Sequence, residues 1–132
     1  YGAVKLALLQ PEVYSRAFSF SGALDADAVC AHGDAAEQAF MRHVLGTKEE
    51  RRGGDNDLNA LAARCMQSGA ALPQLYLSCG TEDRLCPGIN ESFSAYLNTI
   101  GLPHTYEKHS GGHDWGFWDS EIKKAIDAFA HI

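Results

Sequence analysis

From Pro73 onward the chain runs twice through the same order of apolar run, short polar loop and amphipathic helix. Gln74-Leu75-Tyr76-Leu77-Ser78 reads as a strand and leads into Cys79-Gly80-Thr81-Glu82-Asp83. A helix follows from about Ile89 to Ile100, with Ile89, Phe93, Tyr96, Leu97 and Ile100 at helical spacing, and Gly101 and Pro103 stop it. His104-Thr105-Tyr106-Glu107-Lys108 is the next strand. Ser110-Gly111-Gly112-His113-Asp114-Trp115 then opens a last helix whose buried face is expected to carry Trp118, Ile122, Ala125, Ile126 and Phe129. Strands that alternate with helices require a parallel sheet. A parallel sheet gathers its functional groups beyond the carboxyl ends of its strands. Asp83 and His113 both lie a few residues past such ends, so on neighbouring strands a carboxylate and an imidazole meet at one rim.

The upstream half is consistent with the same α/β architecture. Gly2 to Leu9 is apolar nearly all round, which predicts a helix buried on most sides. Pro11 ends it. Arg16-Ala17-Phe18-Ser19-Phe20 alternates as a strand and closes on Ser21-Gly22. Residues from about 23 to 70 contain no clear strand and are read as a helical insertion. Within it, Asp34-Ala35-Ala36-Glu37 has capping-box spacing and opens a helix with Phe40, Met41, Val44 and Leu45 on one face, ended by Gly46. Lys48 to Asp57 is a charged loop with room for one helical turn, and Asp57 caps a helix carrying Leu58, Leu61, Ala62 and Cys65. Residues 1–132 are one domain by length. A chain that opens on Tyr1 and passes straight into a buried helix is expected to be a fragment.

Several classes are disfavoured. The net charge of −6 opposes nonspecific nucleic-acid binding. The apolar run near the start is too short to span a bilayer, and no signal peptide is visible. Four cysteines, Cys30, Cys65, Cys79 and Cys86, do not resemble a disulfide-stapled scaffold, so a reduced, cytoplasmic protein is expected. A metal site drawn from Cys79, Cys86, His109 and His113 lacks the C-x2-C spacing of zinc sites, and no metal or cofactor is expected.

The residues that remain suit proton transfer. Histidine titrates nearest neutrality, and a carboxylate on one ring nitrogen fixes the tautomer that leaves the other nitrogen free to take a proton. Asp83 and His113 fill these roles, with Glu82 and Asp114 as rivals for the acid. Asp114 adjoins the histidine and is badly placed to reach back to its ring. Trp115 either lines a pocket or anchors the last helix. The nucleophile is missing: no G-x-S-x-G occurs, and Ser21 has the right chain order but lacks the glycine two positions earlier and follows the first helix instead of preceding one.

These stretches resemble a known family. Tyr1-Gly2-Ala3 with Leu6-Ala7-Leu8, Ser19-Phe20-Ser21-Gly22, Leu75-Tyr76-Leu77-Ser78-Cys79-Gly80-Thr81-Glu82-Asp83, and Gly111-Gly112-His113-Asp114-Trp115 with Trp118 are similar, in order, to the carboxyl-terminal half of esterases grouped with esterase D, S-formylglutathione hydrolase and the tributyrin and feruloyl esterases. The resemblance implies the carboxyl-terminal part of an α/β-hydrolase fold, with parallel strands, flanking helices and the insertion at 23–70. It implies Asp83 as triad acid, His113 as base, and a nucleophilic serine in a G-x-S-M-G-G segment upstream of Tyr1. The implied activity is cofactor-free cleavage of a small-molecule ester or thioester, with no nucleic-acid or membrane partner and with a homo-oligomer left open. The competing expectation is a non-catalytic α/β domain used for binding or assembly. A third is a cysteine- or metal-dependent site at Cys79, Cys86 and His109.

Overall fold

A computed structural model describes residues 1–129, apart from the side chains of Pro87 and Phe129. Phe129, assigned above to a buried face, therefore lies outside the described side chains. The elements in chain order are α1 (Gly2–Leu9), β1 (Arg16–Phe20), α2 (Ala26–Ala31), α3 (Ala35–Leu45), α4 (Lys48–Arg51), α5 (Leu58–Gln67), β2 (Gln74–Gly80), α6 (Pro87–Ile100), β3 (His104–His109) and α7 (Trp115–Phe129). The three strands form one parallel sheet in the order β1-β2-β3. Leu75 pairs with both Ala17 and His104, and the β2–β3 register runs on to Gly80 opposite His109.

Alternation along the strands sorts the two faces. Ala17 on β1 and Leu75 and Leu77 on β2 point into a core with Val4, Ala7 and Leu8 of α1, Leu61 and Cys65 of α5, and Phe93 and Leu97 of α6. Fully burying one such leucine removes enough apolar surface from water to contribute about 2–3 kcal/mol. Helix α7 packs on the other face, against β1 and β2.

The helix ends follow from local chemistry. Asp25, Asp34, Thr47 and Asp57 accept backbone N–H bonds at the starts of α2, α3, α4 and α5, and α3 and α4 carry full capping boxes. Residues 23–70 hold four helices joined by loops, α2 to α5, and α2 is an element that the apolar periodicity did not reveal. Arg51, itself 6% exposed, ties the insertion together by donating to Asp27, to the Gly46 carbonyl and to Cys30 Sγ.

Two burial expectations change. Helix α1 buries only Val4, Ala7 and Leu8, and Leu6 stays 45% exposed, because one side of the helix has no neighbour within the described residues. On α7 the inward positions are Phe117, Glu121 and Ala125, whereas Ile122 and Ile126 face outward. The sheet meets the helix on the stripe one residue earlier than the apolar pattern suggested. Helix α3 buries no residue at all, leaving Phe40 and Val44 exposed. No helix among the described residues is long and apolar enough to cross a membrane.

Candidate active site

Neighbouring strands β2 and β3 deliver two loops to one rim of the sheet, and backbone bonds join the loops beyond the strands. Thr81 N donates to the His109 carbonyl at 2.8 Å and Glu82 N to the Gly111 carbonyl at 3.0 Å. The join is so close that a Cβ on Gly80 would stand 2.1 Å from the Gly111 carbonyl oxygen. Gly111 itself has φ +141, and a Cβ there would run into Phe117 of α7. Two glycines thus allow the loops to touch.

Glu82 locks the crossing. Its carboxylate accepts from the Gly111 N–H and from the Thr81 and Ser110 hydroxyls. The Gly111 N–H foremost holds its pKa below the ordinary glutamate value. Of the rival acids, Glu82 is therefore a loop clamp, and Asp114 accepts the Phe117 N–H at 3.0 Å at the start of α7.

Asp83 meets the histidine. His113 Nδ1 lies 3.0 Å from Asp83 Oδ2, with the Asp83 side chain fully buried and the His113 side chain 34% exposed. The other carboxylate oxygen accepts from Leu85 N at 2.8 Å and Cys86 N at 3.2 Å. Burial by itself pushes this carboxyl up. The Leu85 N–H, the adjacent Ser21 hydroxyl, the His113 ring and the Cys86 N–H together outweigh burial and hold it at about 2. An ionised carboxylate only accepts hydrogen bonds, so Nδ1 carries a proton, and in the neutral ring the lone pair is on Nε2. Trp118 sets its ring perpendicular to the imidazole at 5.1 Å between centroids.

The depressed carboxyl has a consequence for folding. Its pKa falls from 3.8 in the free residue to about 2 in the fold, so its stabilisation is complete above pH ~4 and is lost as pH falls from ~4 to ~2. The amount at stake is about 2 kcal/mol. Urea unfolding followed from pH 5 to pH 2 is expected to lose this increment in the parent, and Asp83→Asn is expected to show a decline shallower by that amount.

Beside the imidazole lies a cleft of about 770 Å³, lined by His113, Leu85, Cys86 and Ile89 on the sheet side and by Ala28, Val29, His32, Phe40 and Met41 on the insertion. Phe40 and Met41 of α3 thus face this cleft and not the core. Trp115 is 82% exposed, lies outside this lining and sets its ring against Trp118.

Other expected groups disperse. His109 turns to α7, with Nδ1 at 3.0 Å from the fully buried Glu121. Of Cys79, Cys86, His109 and His113, only Cys86 and His113 come together, and their companion is Asp83. All four cysteines are free and buried. Ser21 is held at φ 53 with its hydroxyl buried beside Asp83, without a full hydrogen bond. Its place is next to the acid, a position that the chain order of β1 gave no means of reading. The Tyr1 end of α1 lies within electrostatic range of the Cys86 thiol, so the amino end of that helix faces the same rim.

No protein-family model matches the chain. An acetyl esterase of Caldicellulosiruptor saccharolyticus is 32% identical over 97 residues, which cover 74% of this chain and 36% of that protein. Among solved structures, S-formylglutathione hydrolase of Staphylococcus aureus superposes with a TM-score of 0.81 at 27% identity, over 96% of this chain and 49% of its own. A fluorophosphonate-binding serine hydrolase of the same organism superposes at 0.84 and 28% identity, over the same shares. A ferulic acid esterase shares the fold at 16% identity and a TM-score of 0.67. The chain spans about half the length of these two staphylococcal hydrolases and about a third of the acetyl esterase. By sequence and by fold, the chain is similar to the carboxyl-terminal portion of esterases with the α/β-hydrolase fold, and it shares that fold.

Proposed function

We propose that this chain supplies the acid and the base of a serine carboxylester hydrolase acting on small acyl esters or thioesters. The observation that carries the reading is the 3.0 Å contact between His113 Nδ1 and the buried Asp83 carboxylate, made at a rim where His113 lines a cleft. In this reading a serine in the segment preceding Tyr1 gives its Oγ proton to His113 Nε2 as it attacks the carbonyl carbon. The imidazolium is stabilised by Asp83 and then protonates the leaving oxygen or sulfur, giving an acyl-serine. Water, deprotonated by the same nitrogen, releases the acid and restores the serine. The amino end of α1 places positive dipole near the developing oxyanion. Four free thiols suit a reducing compartment, and we assign the protein to the cytoplasm.

The test is turnover of p-nitrophenyl acetate by the full-length protein, together with labelling by a fluorophosphonate. Burst release of nitrophenol and one labelled serine upstream of Tyr1 are expected. A folded full-length protein that neither turns over nor labels overturns the reading and favours a binding domain.

A further inference from the structure

Asp83, Cys86 and His113 each offer a ligand atom, and these atoms all lie within 4.8 Å of one another. We propose that the three form an inhibitory site for a thiophilic divalent cation of the zinc class, which switches the acid–base pair off when it binds. That the cation inhibits rests on the hydrolase reading; that it binds does not.

The donor set is the argument. A tetrahedral zinc ion takes sulfur at about 2.3 Å and nitrogen or carboxylate oxygen at about 2.0–2.2 Å, which sets its ligands roughly 3.3–3.6 Å apart. Asp83 Oδ2 and His113 Nδ1 already stand 3.0 Å apart. Cys86 approaches both, and a contraction of about an ångström in its side-chain position closes the set. One thiolate, one imidazole and one carboxylate leave a fourth position open. The thiol sets this cluster apart from an ordinary Asp–His pair, since softer cations prefer sulfur and magnesium or calcium do not.

The carboxylate is pre-oriented by the Leu85 and Cys86 N–H groups and needs no rearrangement to bind. Cys86 and His113 both line the cleft, which gives a cation a way in. Cys79 Sγ lies 3.8 Å from Asp83 Oδ2, but falls outside the set of mutually close atoms. Binding exchanges the Cys86 S–H bond for a sulfur–metal bond, and the proton leaves to solvent. If the metal takes Nδ1, the ring loses its bond to Asp83 and that proton leaves too. If it takes Nε2, the lone pair that would accept the serine proton is occupied. Either coordination removes the base, and no oxidant or second reactant is involved.

The test has two readouts on the full-length protein. Titration with Co²⁺ is expected to give a one-to-one thiolate-to-cobalt charge-transfer band that Zn²⁺ displaces and that is lost in Cys86→Ala. Cobalt that binds without this band overturns the site, whatever the protein's activity. Separately, Zn²⁺ is expected to inhibit ester turnover reversibly, with EDTA restoring it. Measured against each variant's own uninhibited rate, Cys86→Ala or Cys86→Ser is expected to need at least about tenfold more Zn²⁺ for half-inhibition. Unchanged sensitivity in both variants overturns the proposal. Absence of any turnover before metal is added counts against the hydrolase reading instead, and the cobalt band then decides the site alone.

Discussion

Replacing His113 with alanine in the full-length protein is expected to lower kcat for p-nitrophenyl acetate by about 10⁴–10⁶-fold, with KM changed little. In the proposed mechanism the imidazole takes the nucleophile's proton and returns it to the leaving group. Its removal raises the barrier of both half-reactions. Asp83→Asn tests the same geometry from the other side, with an expected loss of about 10⁴-fold. An amide at this position can donate as well as accept, so it admits the tautomer in which Nε2 carries the proton and cannot act as base. The folded state is a separate measurement: the far-ultraviolet spectrum of His113→Ala should match the parent, since the side chain is one-third exposed and its loss opens no core cavity. Activity of His113→Ala within tenfold of the parent would contradict the assignment of the base.

The second large effect concerns Gly80, which touches no substrate. Gly80→Val places a Cβ 2.1 Å from the Gly111 carbonyl oxygen and 2.7 Å from its carbonyl carbon. Both atoms are backbone, so neither can swing aside as the end of a flexible side chain would. The β3–α7 loop must retreat by about an ångström or more, breaking the Glu82–Gly111 bonds as it goes. An overpacked site of this kind is expected to cost about 3 kcal/mol of stability. Because the retreating loop carries His113, kcat is expected to fall about 100-fold even where the protein still folds. Gly88→Ala is the control: a Cβ there meets nothing within 4 Å, and alanine favours the helix. Urea midpoints for the two variants should move in opposite directions, and a Gly80→Val protein as stable as the parent would show that the loops are not in contact.

The sequence carried the site further than it carried the packing. Asp83 and His113 were legible because a parallel sheet sends every strand's carboxyl end to one rim, so distance past a strand end translates into position in space. Glu82 was not legible as a clamp. Its role depends on the Gly111 N–H, which comes within reach only once β2 and β3 are paired in register. The outward turn of Ile122 and Ile126 was hidden for a different reason. Helical periodicity gives a stripe of apolar residues but not which edge of it a neighbour will cover, and Glu121 occupies the inward position because His109 and Lys124 satisfy its carboxylate.

The order of strands and helices, the caps of α3 and α5, and the meeting of Asp83 with His113 were determined by the sequence itself. These follow from interactions between residues near in the chain or from a rule of sheet topology. The tertiary structure alone decided that α3 faces a cleft instead of the core, and that Cys86 stands with Asp83 and His113 while His109 turns to Glu121. These outcomes depend on which surfaces meet across positions distant in the chain, 12 apart for His109 and Glu121 and 27 apart for Cys86 and His113. Local pattern can propose such a contact, and only packing selects it.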